Sequence, residues 1–472
     1  MIQNTHPLSK VTSESAPAAA GTGYVLITGA TGLVGQYLLQ ELYLAGQSKI
    51  AVVVRSSKRM NARQRIESIL AKWEQDGELL PRPIVFEGDV SEPDLGLNRE
   101  QLDWINRHVD RIIHNAAILQ FNGADRNSEP WRTNLGGTQN VITLAESAGI
   151  KDFHYVSTAY VCGKRDSKIH EDELDCGQQF RNDYEQSKFE AELAVRNAAH
   201  LTNKTIYRPA VIVGDSKTGF TSSYHGLFLY LRLLATLVPQ QQTNADGTHV
   251  TPIRLPISGD EPRNLVPVDW VARVISRLFV EPKSHGKTFH LVPDKFTTAR
   301  DVIDFCYEYF NSDGVEYCEK SDERPSDNDF ATRYFENARI YQDYEKTDPL
   351  FDCQNLKQFA GDIVCPEIDK DVIRKFMEYG QADAWGKRRS PLPEIDFDCY
   401  ENLPTVLKVA LKLASKTEMG GAFNVNVKGP GGGQWHVTTE NGQPEIHEGL
   451  IDAISSIEST ASKLKQLSVA YR

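Results

Sequence analysis

Between Val25 and Leu39 the chain reads VLITGATGLVGQYLL, with Gly29, Gly32 and Gly35 set between an apolar strand and a helical run. This spacing constrains the fold more than any other feature. A glycine at 29 suits the tight turn that ends the strand. Gly32 leaves room for a pyrophosphate to approach the backbone, and Gly35 lets the helix pack closely on the strand. The helix then presents its free N–H groups and positive dipole end to phosphate. Taken alone, the motif also suits an ordinary tight strand-to-helix turn. What decides between the two readings is whether the rest of the chain provides a use for the glycines.

The rest of the chain continues the alternation. YVLITG, KIAVVVR, PIVFEGDV, RIIHNAA, DFHYVSTAYV and TIYRPAVIVG are apolar strands, with amphipathic helices between them. Apolar strands separated by helices predict an α/β, doubly wound parallel sheet covered on both faces. The rhythm breaks after about residue 215. NLVPVDWVARVISRLF and KTFHLV read as returning core elements, whereas 215–260 and 300–385 read as a cap over the core. Residues 1–20 read as a disordered tail, 21–385 as the dinucleotide-binding domain with its cap, 386–400 as a charged, proline-bearing linker, and 401–472 as a small α+β module.

Composition excludes several functions. A net charge of −12 argues against a sequence-independent grip on nucleic acid. The seven cysteines are scattered and form no CxxC pair, so free thiols in a reducing cytoplasm are expected, with no metal site. The most apolar stretch, Gly226 to Val238, is too short to span a bilayer and carries Arg232. It reads as a buried or pocket-lining helix. Peripheral membrane contact and oligomerisation are left open.

A dinucleotide site needs a ribose-reading residue at the end of the second strand, about 20 residues past the glycines. Arg55 stands there in VVVRSSKR, where an acidic residue would read a 2′-hydroxyl. Arg55, with Ser56 or Lys58, suits a 2′-phosphate and favours NADPH, with Arg63 a weaker candidate for the same group. Asp89 in EGDV can accept from an adenine amino group or simply cap the next turn.

In NDYEQSKFEAE, Tyr184 and Lys188 are four apart and share a helix face. An ammonium close to a phenol is expected to lower the tyrosine pKa and prepare it for proton transfer. Ser157 and Thr158, at the end of a strand in YVSTAYVCG, offer a hydroxyl for the same carbonyl. Asn134 sits early in a preceding helix.

TGATGLVG, GDV, HNAA, N-x-x-GT, STAYV, YxxxK, YRPAVIVG and VPVDWVA occur in this order from about residue 22 to 295. In this the chain resembles the extended short-chain dehydrogenase/reductases. The resemblance implies Tyr184 as catalytic acid/base, Lys188 on the nicotinamide ribose, Thr158 as the catalytic hydroxyl with Ser157 as its register alternative, and Asn134 as the supporting asparagine. It implies cofactor contacts from Gly29, Thr31, Gly32, Leu33, Val34, Gly35, Arg55, Ser56, Lys58, Arg63, Asp89, Val90, Asn115, Ala116, Ala117, Tyr184, Lys188, Pro209 and Val211. His114 reads as structural. The G-D-S-x-T-G turn at Gly214 to Gly219, followed by an apolar helix, is similar to the branch that reduces fatty acyl thioesters.

In the carboxy-terminal piece, Phe423, Val425 and Val427 alternate, as do Trp435 and Val437, which predicts a hairpin with one apolar face. Glycines 431–433 precede no helix and read as turn residues. The G-x-GGG-x-W hairpin resembles the sterol-carrier-protein-2-like lipid-binding fold over about 50 residues. Leu450, Ile454, Ile457, Ala461, Leu464 and Leu467 are expected to line one face of a closing helix. Trp435, His436 and His447 are assigned to packing.

These readings converge on a cytoplasmic, NADPH-dependent reductase of a lipid-like acyl thioester carried on coenzyme A or an acyl carrier protein. Coenzyme A is the simpler expectation for so acidic a chain. A dehydrogenase or epimerase acting on a sterol-like, alcohol or sugar-nucleotide substrate is the alternative, and a non-catalytic NADPH/lipid sensor is the second.

Overall fold

The computed structural model describes residues 23–74, 78–318, 328–339, 344, 348–388, 393–417, 421–440, 443–453 and 455–470. The expected tail over 1–20 and Ile454 lie outside the described residues.

Seven strands form the core: β1 (Tyr24–Thr28), β2 (Ile50–Val54), β3 (Ile84–Glu87), β4 (Val109–His114), β5 (Asp152–Val156), β6 (Asn203–Pro209) and β7 (Thr288–Leu291). Their order is β7-β6-β5-β4-β1-β2-β3, and every neighbouring pair is parallel. All five residues of β1 and all five of β2 are buried, as two covered faces require. The helices on these faces are α1 (Leu33–Leu44), α2 (Ala62–Trp73), α3 (Arg99–His108), α4 (Gly137–Ser147), α5 (Asp183–Asn197) and, after the cap insertion, α7 (Val268–Val280). Asn61 and Asn98 close capping boxes at the starts of α2 and α3. The chain runs outward from β1 to β3 and returns at β4 on the other side of β1. This reversal opens a crevice at the carboxyl ends of β1 and β4, where doubly wound folds bind ligands.

A second apolar cluster forms the cap. It gathers α6 (Leu227–Leu237) and the helices Ala299–Tyr309, Asp329–Ala338 and Lys370–Ala382 around the parallel pair His249–Leu255 and Ser312–Tyr317. The stretch 351–365 packs on the core and not in the expected cap. Leu356 and Ala360 join the core cluster, and Trp270 donates its indole N–H to the Ile363 carbonyl.

The carboxy-terminal module is a four-stranded sheet of β8 (Phe423–Lys428), β9 (Gly433–Glu440), β10 (Gln443–Glu448) and β11 (Ser455–Thr460), ordered β10-β9-β8-β11. Phe423, Val425, Trp435 and Val437 pack beneath the helices Leu403–Lys416 and Ala461–Ala470. The closing helix is shorter than its spacing suggested. Ile457 sits on β11, where burial alternates residue by residue beside β8, and the helix begins at Ala461. Sheet pairing overrides the helical period there, so Leu450 and Ile457 leave the helix face, while Ala461, Leu464 and Leu467 keep it.

The other sheet face docks on the core domain. The Tyr24 hydroxyl donates to Gln434 (2.8 Å) and accepts from the Leu450 N–H (2.7 Å). Trp104 donates to the Glu448 carbonyl at 2.9 Å, and Gly431 N–H to Glu67 at 3.2 Å.

Candidate active site

The crevice opens into a cavity of about 800 Å³ running from the glycine turn into the cap. Gly29 lies at φ +72°, and a Cβ there would sit 2.7 Å from the Ala116 backbone. A Cβ at Gly35 would lie 2.1 Å from the Gly29 carbonyl oxygen, so Gly35 packs α1 onto the turn without reaching the cavity. Gly32, Thr31, Leu33 and Val34 line the cavity at the start of α1. The walls continue through Asp89, Val90, Asn115, Ala116, Ala117, Pro209 and Val211. Asn115 donates to the Gly29 carbonyl, and Ala116 N–H to Thr28 Oγ1. His114 is wholly buried between Thr28 and Thr138.

The basic residues sort differently from the sequence expectation. Arg55 lines the cavity and reaches Asp89 at 3.4 Å. Asp89 also accepts from the N–H and hydroxyl of Ser91, so it caps its turn. Ser56 and Lys58 are exposed on the neighbouring loop and do not line the cavity. Arg63 points away altogether. Its guanidinium makes a two-pronged pair with Asp398 at 3.0–3.1 Å and stacks on Tyr400, tying α2 to the carboxy-terminal segment. Arg65 takes the place expected of Arg63, lining the cavity while donating to Thr31 Oγ1 (2.9 Å) and the Arg55 carbonyl (2.6 Å). Residues two apart on a helix lie about 200° apart around its axis, so Arg63 and Arg65 cannot share a face. That period was the available signal.

At the far wall Thr158, Tyr184 and Lys188 meet. Thr158 follows β5, and its hydroxyl donates to the Pro209 carbonyl and accepts from Tyr160 N–H. Ser157 also lines the cavity, but its hydroxyl donates to Glu192 at 2.7 Å within the buried Glu192–Arg208 pair. Both hydroxyls have protein partners: Ser157 is held by the Glu192 carboxylate, and Thr158 donates to the Pro209 carbonyl at 3.4 Å and accepts from Tyr160 N–H at 3.3 Å. Asn134 does not line the cavity. It lies in a π-helical turn, Arg132–Gly136, accepts from Ile118 N–H, and donates to the Ile118 carbonyl and Ser187 Oγ. It therefore braces the cavity wall against α5, one residue from Lys188.

The electrostatics differ from the simple tyrosine–lysine picture. Lys188 is 1% exposed, donates to the Val156 carbonyl at 2.8 Å and sits 4.3 Å above the Tyr155 ring. Burial draws its pKa down to about 7, against an opposing pull from Glu192. Burial pushes the Tyr184 phenol up to about 12, Glu185 adds to this, and the Thr158 hydrogen bond opposes it. The phenol is thus held protonated, which suits a proton donor.

The cavity's inner arm is apolar, lined by Leu227, Tyr230, Leu231 and Leu234 of α6 with Leu255, Ile257, Val302, Ile303, Cys306 and Phe335. Phe121, Thr133, His225, Arg263, Tyr344 and Asp348 were not singled out in the sequence, and they line it too. They come from loops, the π-helical turn, a short strand and the cap, where no local pattern marks them.

A family model described as male sterility protein, an NAD-binding family, matches residues 27–275, more than half of the chain. The chain belongs to this family. Its fold is that of the extended short-chain dehydrogenase/reductases, and membership of an NAD-binding family supports a nicotinamide cofactor. The chain is also 28% identical over 381 residues to a linear gramicidin synthase polypeptide of Brevibacillus parabrevis, covering 75% of this chain and 7% of that protein. It is 25% identical over 413 residues to an aldehyde reductase of Aspergillus flavus, covering 79% of this chain and 38% of that protein. The chain thus spans a minor part of these curated relatives. Among solved structures, the terminal R domain from the myxalamid PKS-NRPS biosynthetic pathway superposes with a TM-score of 0.62 at 26% identity, covering 79% of this chain and 94% of that domain. A thiolation-reductase di-domain from an archaeal non-ribosomal peptide synthetase shares the fold, with a TM-score of 0.57 at 21% identity over 78% of this chain and 77% of that one. No helix among the described residues is long and apolar enough to cross a membrane.

Proposed function

We propose that this chain is an NADPH-dependent oxidoreductase that releases an acyl group from a carrier-bound thioester as an aldehyde. One observation carries the reading. Thr158, Tyr184 and Lys188 line the same cavity as the glycine turn and the apolar side chains of α6. Gly29, Gly32 and the first N–H groups of α1 would hold the pyrophosphate, and Arg55 and Arg65 the 2′-phosphate. Bound NADPH would supply the hydride.

The residues do the rest. Thr158 and Tyr184 hydrogen-bond the thioester carbonyl oxygen and stabilise the negative charge that develops there. Tyr184 gives that oxygen its proton as the C–H bond forms. Lys188, within the same helix turn, orients the ribose. Collapse of the hemithioacetal breaks the C–S bond and yields aldehyde and free thiol. The balance is one thioester, one NADPH and one proton to one aldehyde, one thiol and NADP+. The apolar arm takes a hydrocarbon acyl chain.

The R domain and the thiolation-reductase protein among the structural relatives favour a carrier-tethered substrate over free coenzyme A. Both carriers present the same phosphopantetheine thiol. An epimerase reading is disfavoured by the two guanidiniums at the ribose end, and a pure sensor has no use for a protonated phenol beside the Thr158 hydroxyl. For the carboxy-terminal module we favour a brace over a lipid carrier, because its apolar sheet face is filled by its own two helices. A fluorescent fatty acid that binds residues 401–472 would support the carrier reading.

The test is NADPH oxidation with acyl thioesters on a carrier protein and on coenzyme A. Turnover that disappears in Tyr184→Phe, with NADPH binding retained, supports the proposal. NADPH binding without oxidation of either substrate would refute it.

A further inference from the structure

At the opposite end of β5 from the cavity, three side chains converge. Asp152 opens the strand, His154 follows two residues on and therefore projects from the same face, and His285 arrives from the turn after α7. Asp152 Oδ1 lies 3.3 Å from His154 Nε2, and Asp152 Oδ2 lies 3.3 Å from His285 Nδ1. One donor atom from each residue fits within 4.8 Å of the others.

Hydrogen bonding leaves these donors without other partners. His154 is fully buried, and its Nε2 makes no hydrogen bond. Nor does the buried Asp152 Oδ1, although the two are close. Their lone pairs are thus poorly aimed at each other. Two buried polar atoms left without a partner are destabilising if nothing lies between them. The remaining ring nitrogens are held from behind. His285 Nε2 must donate to the Phe279 carbonyl at 2.9 Å, so in the neutral ring Nδ1 carries the lone pair that faces Asp152. His154 Nδ1 pairs with the Tyr207 hydroxyl at 2.9 Å, which can accept from it and leave Nε2 bare. Ligating histidines show this back-bonding pattern.

We infer that Asp152, His154 and His285 form a binding site for a zinc-like divalent transition-metal ion. Tetrahedral zinc holds nitrogen and oxygen donors at about 2.0–2.2 Å, which separates neighbouring donors by about 3.3 Å. Two imidazoles and one carboxylate favour zinc, cobalt or nickel over calcium or magnesium. Asp152 is 17% exposed, so water can complete the shell. Arg111, whose backbone is paired with Asp152, directs its guanidinium to Asp110 at 3.1 Å and over the Phe279 ring at 4.9 Å. Its positive charge opposes any cation bound there, and the Asp152 carboxylate acts in the opposite sense. The ion would fasten the start of β5 to the segment after α7. Another candidate cluster, Glu440, Glu445 and His447, is more exposed and serves as the control.

The test is metal uptake by the full chain after dialysis against a chelator. Wild type is expected to bind one equivalent of Zn²⁺ at this site, with a rise in unfolding temperature. Substituted Co²⁺ should give the visible d–d spectrum of a nitrogen/oxygen shell without a thiolate charge-transfer band. His285→Asn should weaken binding at least about tenfold and abolish the thermal shift, whereas His447→Ala should leave both unchanged. No uptake by wild type, or undiminished uptake by folded His285→Asn, overturns the site and leaves a His285–Asp152 ion pair. If His285→Asn does not fold, the wild-type Co²⁺ spectrum decides, and a thiolate band refutes the assignment.

Discussion

Lys188→Met should change how stability depends on pH, and the structure sets the size of the change. Lys188 is 1% exposed, and burial draws its pKa from an ordinary 10.5 to about 7. Between those values the unfolded chain binds a proton that the folded chain does not. Stability therefore rises with pH across that window. For these two values the gain between pH 7 and pH 9 is about 2 kcal/mol. Methionine fills a similar volume and carries no proton, so the variant loses this slope and is the more stable protein at pH 7. Denaturant unfolding of both proteins at pH 7, 8 and 9, followed by tryptophan fluorescence, isolates the effect, because every other titrating group is common to the pair. Equal slopes for the two proteins would refute a Lys188 held partly neutral by burial.

Other outcomes follow from the same geometry. Tyr184→Phe should lower kcat by about 10²–10⁴-fold while leaving NADPH affinity within about twofold, measured by steady-state kinetics and fluorescence titration. Arg65→Ala should raise KM for NADPH about tenfold or more and leave KM for NADH nearly unchanged. Arg63→Ala should spare both and instead cost about 1 kcal/mol of stability, as loss of its partly buried pair with Asp398 implies. Gly35→Ala places a Cβ 2.1 Å from the Gly29 carbonyl and should prevent soluble expression or abolish NADPH binding.

The parts of the fold and site that were legible in the sequence are those set by local spacing. Three glycines between a strand and a helix, and a tyrosine four residues before a lysine, carry their geometry within one element. The strand–helix alternation likewise dictates a parallel sheet. Distinctions that depend on distant partners were hidden. The helix period separates Arg63 from Arg65, but which of the two faces the cavity depends on Asp398 and Thr31. Ser157 and Thr158 take different distant partners, Glu192 for the first and the Pro209 carbonyl for the second. Lys188 was expected to act on Tyr184 through its charge, yet burial between the Val156 carbonyl and the Tyr155 ring governs its protonation. Ile457 fits a helix face by spacing but pairs in a sheet with Val425. Asp152 and His285 lie 133 residues apart, and no local pattern joins them.

The central claim is tested most directly by following the hydride. The protein is incubated with a carrier-bound acyl thioester and NADPH deuterated on the transferred face of C4, and the products are identified by mass spectrometry. The account predicts an aldehyde, or an alcohol after a second turn, with deuterium on the former thioester carbon and the carrier thiol set free. Unlabelled carboxylic acid, or intact thioester beside unconsumed NADPH, would contradict it.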